Sequence, residues 1–253
     1  MDMKWMMILL AALLLTSGCD PEDLINDVVD GIELTNEQEN AVVITQIATE
    51  QGGAVGQLQV LQAMTQASFY QKSAVDTTFS IEWVSYSVNA KFYRANGDEI
   101  PVPVPNLTDS MSVTTMLSGD STLSNNGQSW AISLSRSSAF QVNQITQPVA
   151  FVNGGGQDNS THGFSTSDLD LQLALNSTYT ASDIGMSSSS TNNIPVSGVL
   201  SGVAKGTVTA GNLPSKDIEI PYSVTFTGSQ QAVVTINNGE RDITIDLVTG
   251  QIQ

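Results

Sequence analysis

Two hydrophobic rhythms divide the chain. Up to about residue 75 the apolar positions recur every three or four residues, and from about Asp76 they alternate. The first period is that of a helix with 3.6 residues per turn, the second that of a strand whose successive side chains face opposite ways. Leu24, Ile25, Val28, Val29 and Ile32 predict a short helix entered at Asp20-Pro21 and closed near Gly31. Thr35-Asn36-Glu37-Gln38 has the form of a capping box. Behind it, Ala41, Ile44, Ile47, Ala48, Val55, Leu58 and Leu61 predict helix from about Asn36 to Gln71. Gly52-Gly53 should kink or split that helix, since Gly costs about 1 kcal/mol relative to Ala in a helix interior. The apolar stripe is expected to dock on the rest of the protein. Basic residues, which membrane-surface helices favour, are absent from this stretch until Lys72.

The strand-like part is one-faced. Trp130, Ile132 and Leu134 alternate with small residues, and Leu169, Leu171, Leu173 and Leu175 with Asp168, Asp170, Gln172 and Ala174. Ile218 to Phe226 and Ile243 to Leu247 alternate likewise. Such strands belong to antiparallel sheets with one wet side, whereas buried parallel strands read as continuous apolar runs. Asn96-Gly97, Asn126-Gly127 and Asn238-Gly239 predict hairpin turns. Phe79, Ile81 and Trp83 share one parity while Val84, Tyr86, Val88, Ala90 and Phe92 take the other, which predicts a β-bulge near Trp83-Val84. Ser187–Asn193 and Gly154–Gly163 read as long flexible loops. Gly198, Leu200, Gly202, Ala204 and Gly206 would share one strand face, small enough for the Asn36–Gln71 helix to pack closely.

Composition adds constraints. Asp+Glu 25 against Lys+Arg 8 in 253 residues gives a net charge of -17, although only 13% of residues are charged. That balance argues against nucleic-acid binding, which needs clustered Lys and Arg. One Cys rules out an intramolecular disulfide, and one Cys with one His rules out the common structural zinc sites. Ser 30 and Thr 24 make about one residue in five a hydroxyl, as on the wet faces of secreted and cell-surface β proteins. Aromatics at 6%, and a chain ending Gln251-Ile252-Gln253, speak against a transmembrane β-barrel with its aromatic girdles.

The first residues carry an address. Met6 to Leu15 is an apolar run of ten behind Lys4, within the range of a secretory signal core and short of the ~20 residues that span a bilayer. The run ends Leu15-Thr16-Ser17-Gly18-Cys19. This ending resembles the lipobox of bacterial lipoproteins. The resemblance covers about 19 residues; Gly18 and Ser17 fit the small positions before the cut, and Thr16 departs from the usual Leu. It implies cleavage between Gly18 and Cys19, a diacylglycerol thioether on Cys19, and acylation of the new amino terminus by a palmitate-type chain. Each buried CH₂ contributes about 0.8 kcal/mol, so two or more chains give stable anchoring. Asp20-Pro21-Glu22-Asp23 follows. In enteric bacteria an Asp after the lipidated Cys tends to hold a lipoprotein in the inner membrane. In other Gram-negative groups acidic residues there resemble surface-export signals. Residues 20–71 hold nine acids and no Lys or Arg, and residues 72–253 fifteen acids and seven bases, so about half the charge lies beside the anchor. An anionic membrane surface repels that segment over roughly a Debye length.

Catalytic chemistry is sparse. His162, the single imidazole, lies near Asp158 and many serines, but no Ser sits in a Gly-x-Ser-x-Gly elbow, and an exposed loop His is the expected state. The pairs Asp168/Asp170 and Asp242/Asp246 lie opposite the apolar parity, toward water, where carboxylates are not poised for glycoside hydrolysis. Asp158 and Asn159 with loop carbonyls offer oxygen ligands for calcium, without an EF-hand pattern. Phosphate-cradling Gly motifs are absent. Asn106-Leu107-Thr108, Asn159-Ser160-Thr161 and Asn176-Ser177-Thr178 match the eukaryotic glycosylation pattern by chance.

The expected molecule is mainly β (α+β), a helical segment packed on an antiparallel, one-faced sheet that forms a sandwich or a curled open barrel. Its parts are a signal peptide (1–18), an acidic tether with a short helix (19–34), a helical segment (35–75) and a β domain (76–253). The expected role is a lipid-anchored cell-envelope protein, structural or binding and not an enzyme, without cofactor or metal. The expected site is the outer membrane, on its periplasmic or surface face, in preference to the inner one. Its partners are the membrane, through the lipid, and an envelope protein or glycan of unspecified kind. The alternative is a carrier of an apolar ligand in a helix-covered half-barrel, and a third is a hydrolase.

Overall fold

The computed structural model describes residues 33–68, 76–104, 106–125, 128–165, 170–187, 193–211 and 213–253. Gly18, Cys19, the short helix after Asp20, the Asn126-Gly127 turn, Asp168 and most of the Ser187–Asn193 loop lie outside the described residues. Helix α1 (Asn36–Ile47) starts where the capping box places it. Gln38 N–H donates to Thr35 Oγ1 at 3.3 Å and Thr35 N–H to Gln38 Oε1 at 2.9 Å. One 3₁₀ turn (Thr49–Gln51) and left-handed Gly52, φ 79°, then lead into α2 (Ala54–Ser68), so the Gly pair splits the helix.

The helices dock on more than one stripe. Every residue from Ala41 to Thr49 is buried, and so is every residue from Ala54 to Gln62 except Gln59. Val42, Val43 and Val60 fill the faces between the predicted apolar positions, and a helix apolar all round belongs inside a core. The expectation of a one-sided docking face is corrected on this ground.

What surrounds them is one antiparallel sheet. It contains β1 (Asp76–Ile81), β2 (Val84–Tyr93), β3 (Glu99–Ile100), β4 (Ser110–Asn125), β5 (Gln128–Asn143) and β6 (Val149–Ser165). It continues with β7 (Asp170–Ser187), β8 (Ser197–Ala210), β9 (Lys216–Thr225), β10 (Gln231–Ile236) and β11 (Arg241–Asp246). Each strand pairs with the next in sequence, except that β2 pairs with β4 directly and β3 hangs on β2. The sheet is curled and open, and it shares a single hydrophobic core with the helices; of the two expected architectures it is not a sandwich. Inward residues such as Leu171, Leu173, Leu175, Tyr222 and Val224 are buried, and their outward neighbours are mostly polar.

The gap between the first and last strands is bridged by the turn between the helices. Thr49 N–H donates to Leu247 O at 3.1 Å and Glu50 N–H to Val248 O at 2.8 Å, beyond the end of β11. On the other side Trp83 Nε1–H, in the β1–β2 turn, donates to Glu50 O at 3.0 Å. The helical linker thus links both borders of the sheet.

Two further sequence readings are corrected. Ile81 pairs with Val84, so Glu82-Trp83 is a two-residue hairpin turn with Glu82 at φ 50°, not a bulge. A two-residue loop pairs odd with even positions, which reverses apolar parity as a bulge would. The register shifts instead lie between Val152 and Gly154 and between Ser182 and Gly185. Second, Gly154–Gly163 is not a loop but the middle of β6. The Asn96-Gly97 and Asn238-Gly239 turns join β2 to β3 and β10 to β11 as expected.

Helix α1 runs against β8 and β9, but a helix is not what needs Gly202. Gly202 stands across from Tyr179 on one side and Tyr222 on the other. A Cβ there would lie 2.4 Å from Tyr222 Oη and 2.6 Å from Thr178 O. Gly202→Leu should therefore lower the melting temperature by roughly 5–10 °C, taking about 1–3 kcal/mol for overpacking. An unchanged calorimetric melt would show slack at this position.

Candidate functional site

The inner face is not apolar throughout. In β5 the inward parity of Trp130, Ile132 and Leu134 runs on through Arg136 and Ser138 before returning to Phe140 and Val142. In β6 the inward positions are Asp158, Ser160 and His162, then Phe164. Register sets Arg136 opposite Asp158, and Asp158 opposite Ser177. Gln46 of α1 and Gln57 of α2 close the group from inside.

Its bonds tie helices to sheet. Arg136 Nη1 donates to Gly52 O at 2.9 Å and Arg136 Nη2 to Gln46 Oε1 at 3.1 Å. The same Nη2 stands 3.6 Å from Asp158 Oδ2, and both side chains have no exposed surface. Gln46 Nε2 donates to Asp158 Oδ2 at 2.9 Å and Ser160 Oγ to the same oxygen at 3.0 Å. Gln57 Oε1 accepts from Thr115 Oγ1 at 2.9 Å, Tyr179 Oη at 3.1 Å and Ser138 Oγ at 2.5 Å. The guanidinium also lies 5.6 Å from the Tyr179 ring centroid. Desolvating two charges costs several kcal/mol per ion, and here the mutual attraction and these hydrogen bonds offset it only in part, since Arg136 Nε and Asp158 Oδ1 are left without a partner.

Burial sets the acid–base behaviour. It pushes the His162 imidazole down to about 4, with Arg136 adding to the effect and Asp158 opposing it. Burial raises the phenol of Tyr86 to about 12 and those of Tyr179 and Tyr222 as well, while Arg136 opposes it in each. Burial works against the charge on Arg136, but Asp158 and the surrounding tyrosines hold its pKa above the ordinary value.

The geometry revises the predicted site residues. His162 is not an exposed loop histidine; it is fully buried, with its ring stacked 6.3 Å from that of Phe164. The order along the hydrogen bonds is Asp158, Ser160, His162, with Ser160 Oγ 3.3 Å from His162 Nε2. A nucleophilic serine needs the histidine between it and the carboxylate. Here the Ser160 proton goes to Asp158 instead. Asp158 and Asn159 point to opposite faces of β6, one buried and one exposed, so they do not converge on a cation. Among the described residues no three His, Cys, Asp or Glu side chains do. Asp170 and Asp242 are exposed, and Asp246 accepts from Val248 and Thr249 N–H in the turn after β11. Arg136, Ser160, Gln46 and Gln57 were not singled out by the sequence reading, although extending the strand parity from Leu134 and Phe164 leads to the first two.

Two surface depressions border the group, with Tyr179 in the lining of both and Thr115 and Ser138 in that of the larger. One of about 390 Å³ spans β7 to β10 over outward-facing Thr178, Thr180 and Ser201. Another of about 630 Å³ lies over Thr114, Met116, Ser137 and Gln157. Comparison with protein-family models, curated proteins and solved structures finds no match to this chain.

Proposed function

We propose that the protein is a lipid-anchored component of the bacterial cell envelope with a structural or binding role and no catalysis. The observation that carries this reading is the position of the single cysteine, Cys19, directly behind a ten-residue apolar run and the small residues Ser17-Gly18. In this reading Cys19 carries the lipid and the acidic stretch after it spaces the folded part from the outer membrane. The fold supports a role without chemistry. The acid, base and hydroxyl that stand together, Asp158, His162 and Ser160, are enclosed, and two of them bond to each other or to Gln46. A carrier would place its ligand between helices and sheet. That space is where Ile44, Ile47, Leu58 and Leu61 join the common core, which favours the structural or binding reading.

The fractionation of envelope membranes tests the anchor. Wild-type protein should sediment with outer-membrane vesicles and incorporate labelled palmitate, whereas Cys19→Ser should take up no label and leave the outer-membrane fraction. Equal labelling and equal outer-membrane association of the two forms would overturn the proposal.

A further inference from the structure

We propose that Arg136, Asp158, Ser160 and His162 form an acid-operated latch that holds the helical pair inside the sheet and releases it when His162 is protonated. Ser160 Oγ gives its only proton to Asp158 Oδ2, so toward His162 Nε2 it can only accept. The imidazole therefore carries its hydrogen on Nε2, and Nδ1 is the atom left to be protonated. Nδ1 is buried and has no hydrogen-bond partner. A proton placed there meets no hydrogen-bond partner in the closed state, and the new cation shares the buried core with Arg136.

The charged groups facing His162 are few. Asp158 from its own strand attracts an imidazolium and Arg136 from β5 repels it. From β7, Leu173 lies directly opposite, and the Tyr179 phenol stays neutral. From inside, the helices bring the uncharged amides of Gln46 and Gln57 to this centre. Asp158 Oδ2 is already engaged by Arg136, Gln46 and Ser160; Oδ1 is buried without a partner and makes no hydrogen bond to His162 Nδ1 in the closed state, so the proton gains no acceptor unless the two side chains shift.

Relief comes from water, and in the latch the part that moves to admit it is the helical pair, whose Gln46 holds both Asp158 and Arg136. Several polar ties of α1, α2 and their connecting turn run into this same centre: Gln46 to Asp158 and Arg136, Gly52 O to Arg136, and Gln57 to Ser138. The strands beneath have independent support in continuous ladders such as that from Ser110↔Asn143 to Asn125↔Gln128. Acid should thus loosen the helices before the sheet, as a local opening with its own free energy.

Hydrogen exchange of the full chain at pH 7.5 and 5.0, corrected for intrinsic rates, tests the latch. Burial holds the imidazole at about 4 in the closed state against about 6.5 when hydrated. The open population should then rise about 30-fold between these pH values. Amides of α1 and α2 should lose that much protection while those of β4 and β5 keep theirs. In His162→Gln the helical amides should show no such rise. Helices and strands losing protection together, helices losing none, or His162→Gln responding like the wild type would each overturn the proposal. Should the variant fail to fold, the contrast between helices and strands in the wild-type protein decides alone.

Discussion

Asp158→Ala should destabilise the protein by about 3–5 kcal/mol, the cost of leaving a buried charge without its partner. The guanidinium of Arg136 has no exposed surface, so it cannot turn to water when the carboxylate is removed. Gln46 Nε2 and Ser160 Oγ lose their acceptor in the same step. Urea denaturation should register the loss as a lower midpoint with the slope nearly unchanged. The double variant Arg136→Met/Asp158→Leu is the informative companion. With both charges replaced by apolar groups of similar volume, stability should return to near the wild-type value or exceed it. If the single and double variants were equally unstable, the loss would come from packing and not from the uncompensated charge.

Gly155→Val should cost about 3 kcal/mol or more, at the upper end of overpacking effects. Gly154, Gly155 and Gly156 lie where β6 presses against both neighbours. A Cβ at Gly155 would lie 2.2 Å from Tyr179 O, and one at Gly154 2.2 Å from Ala139 O. Both obstacles are backbone atoms in the ladders that join β6 to β7 and β5, so relief requires the strands to part. Glycines are a recognised device for curving a sheet, and this triplet adjoins the register shift after Val152. Gly163→Ala on the same strand is the control. Its nearest neighbour is the end of the Gln172 side chain at 3.0 Å, which can move aside. Thermal melts should separate the two substitutions widely, and similar melts would remove curvature as the reason for the triplet.

The fold was legible in the chain to the extent that apolar periodicity reports one-sided burial. Leu171, Leu173 and Leu175, or Tyr222 and Val224, alternate with polar neighbours, and their faces followed directly. The capping box at Thr35 and the split at Gly52 were equally local signals. Periodicity failed where burial was two-sided or polar. α1 is enclosed on nearly all sides, so its predicted stripe described only part of its contacts. β6 reads Gly-Gly-Gly-Gln-Asp-Asn-Ser-Thr-His-Gly, the composition of a loop, because its first glycines lie where a Cβ would strike the neighbouring strands and its inward residues bond to Arg136, Gln46 and each other. Those partners lie about 20 to 110 positions away in the chain, beyond any local window. His162 belongs to that group, which is why it reads as an exposed residue in sequence and is buried in the fold.

The proposed protein is a β domain stapled around its own helices and, in the reading drawn from its single cysteine, held to a membrane by lipid. Mass spectrometry of the N-terminal peptide from the membrane-extracted protein tests that account most directly. The peptide should begin at Cys19, with residues 1–18 absent, and carry the mass of a diacylglycerol together with an amide-linked acyl chain. A peptide beginning upstream of Cys19, or an unmodified Cys19 thiol, would contradict it.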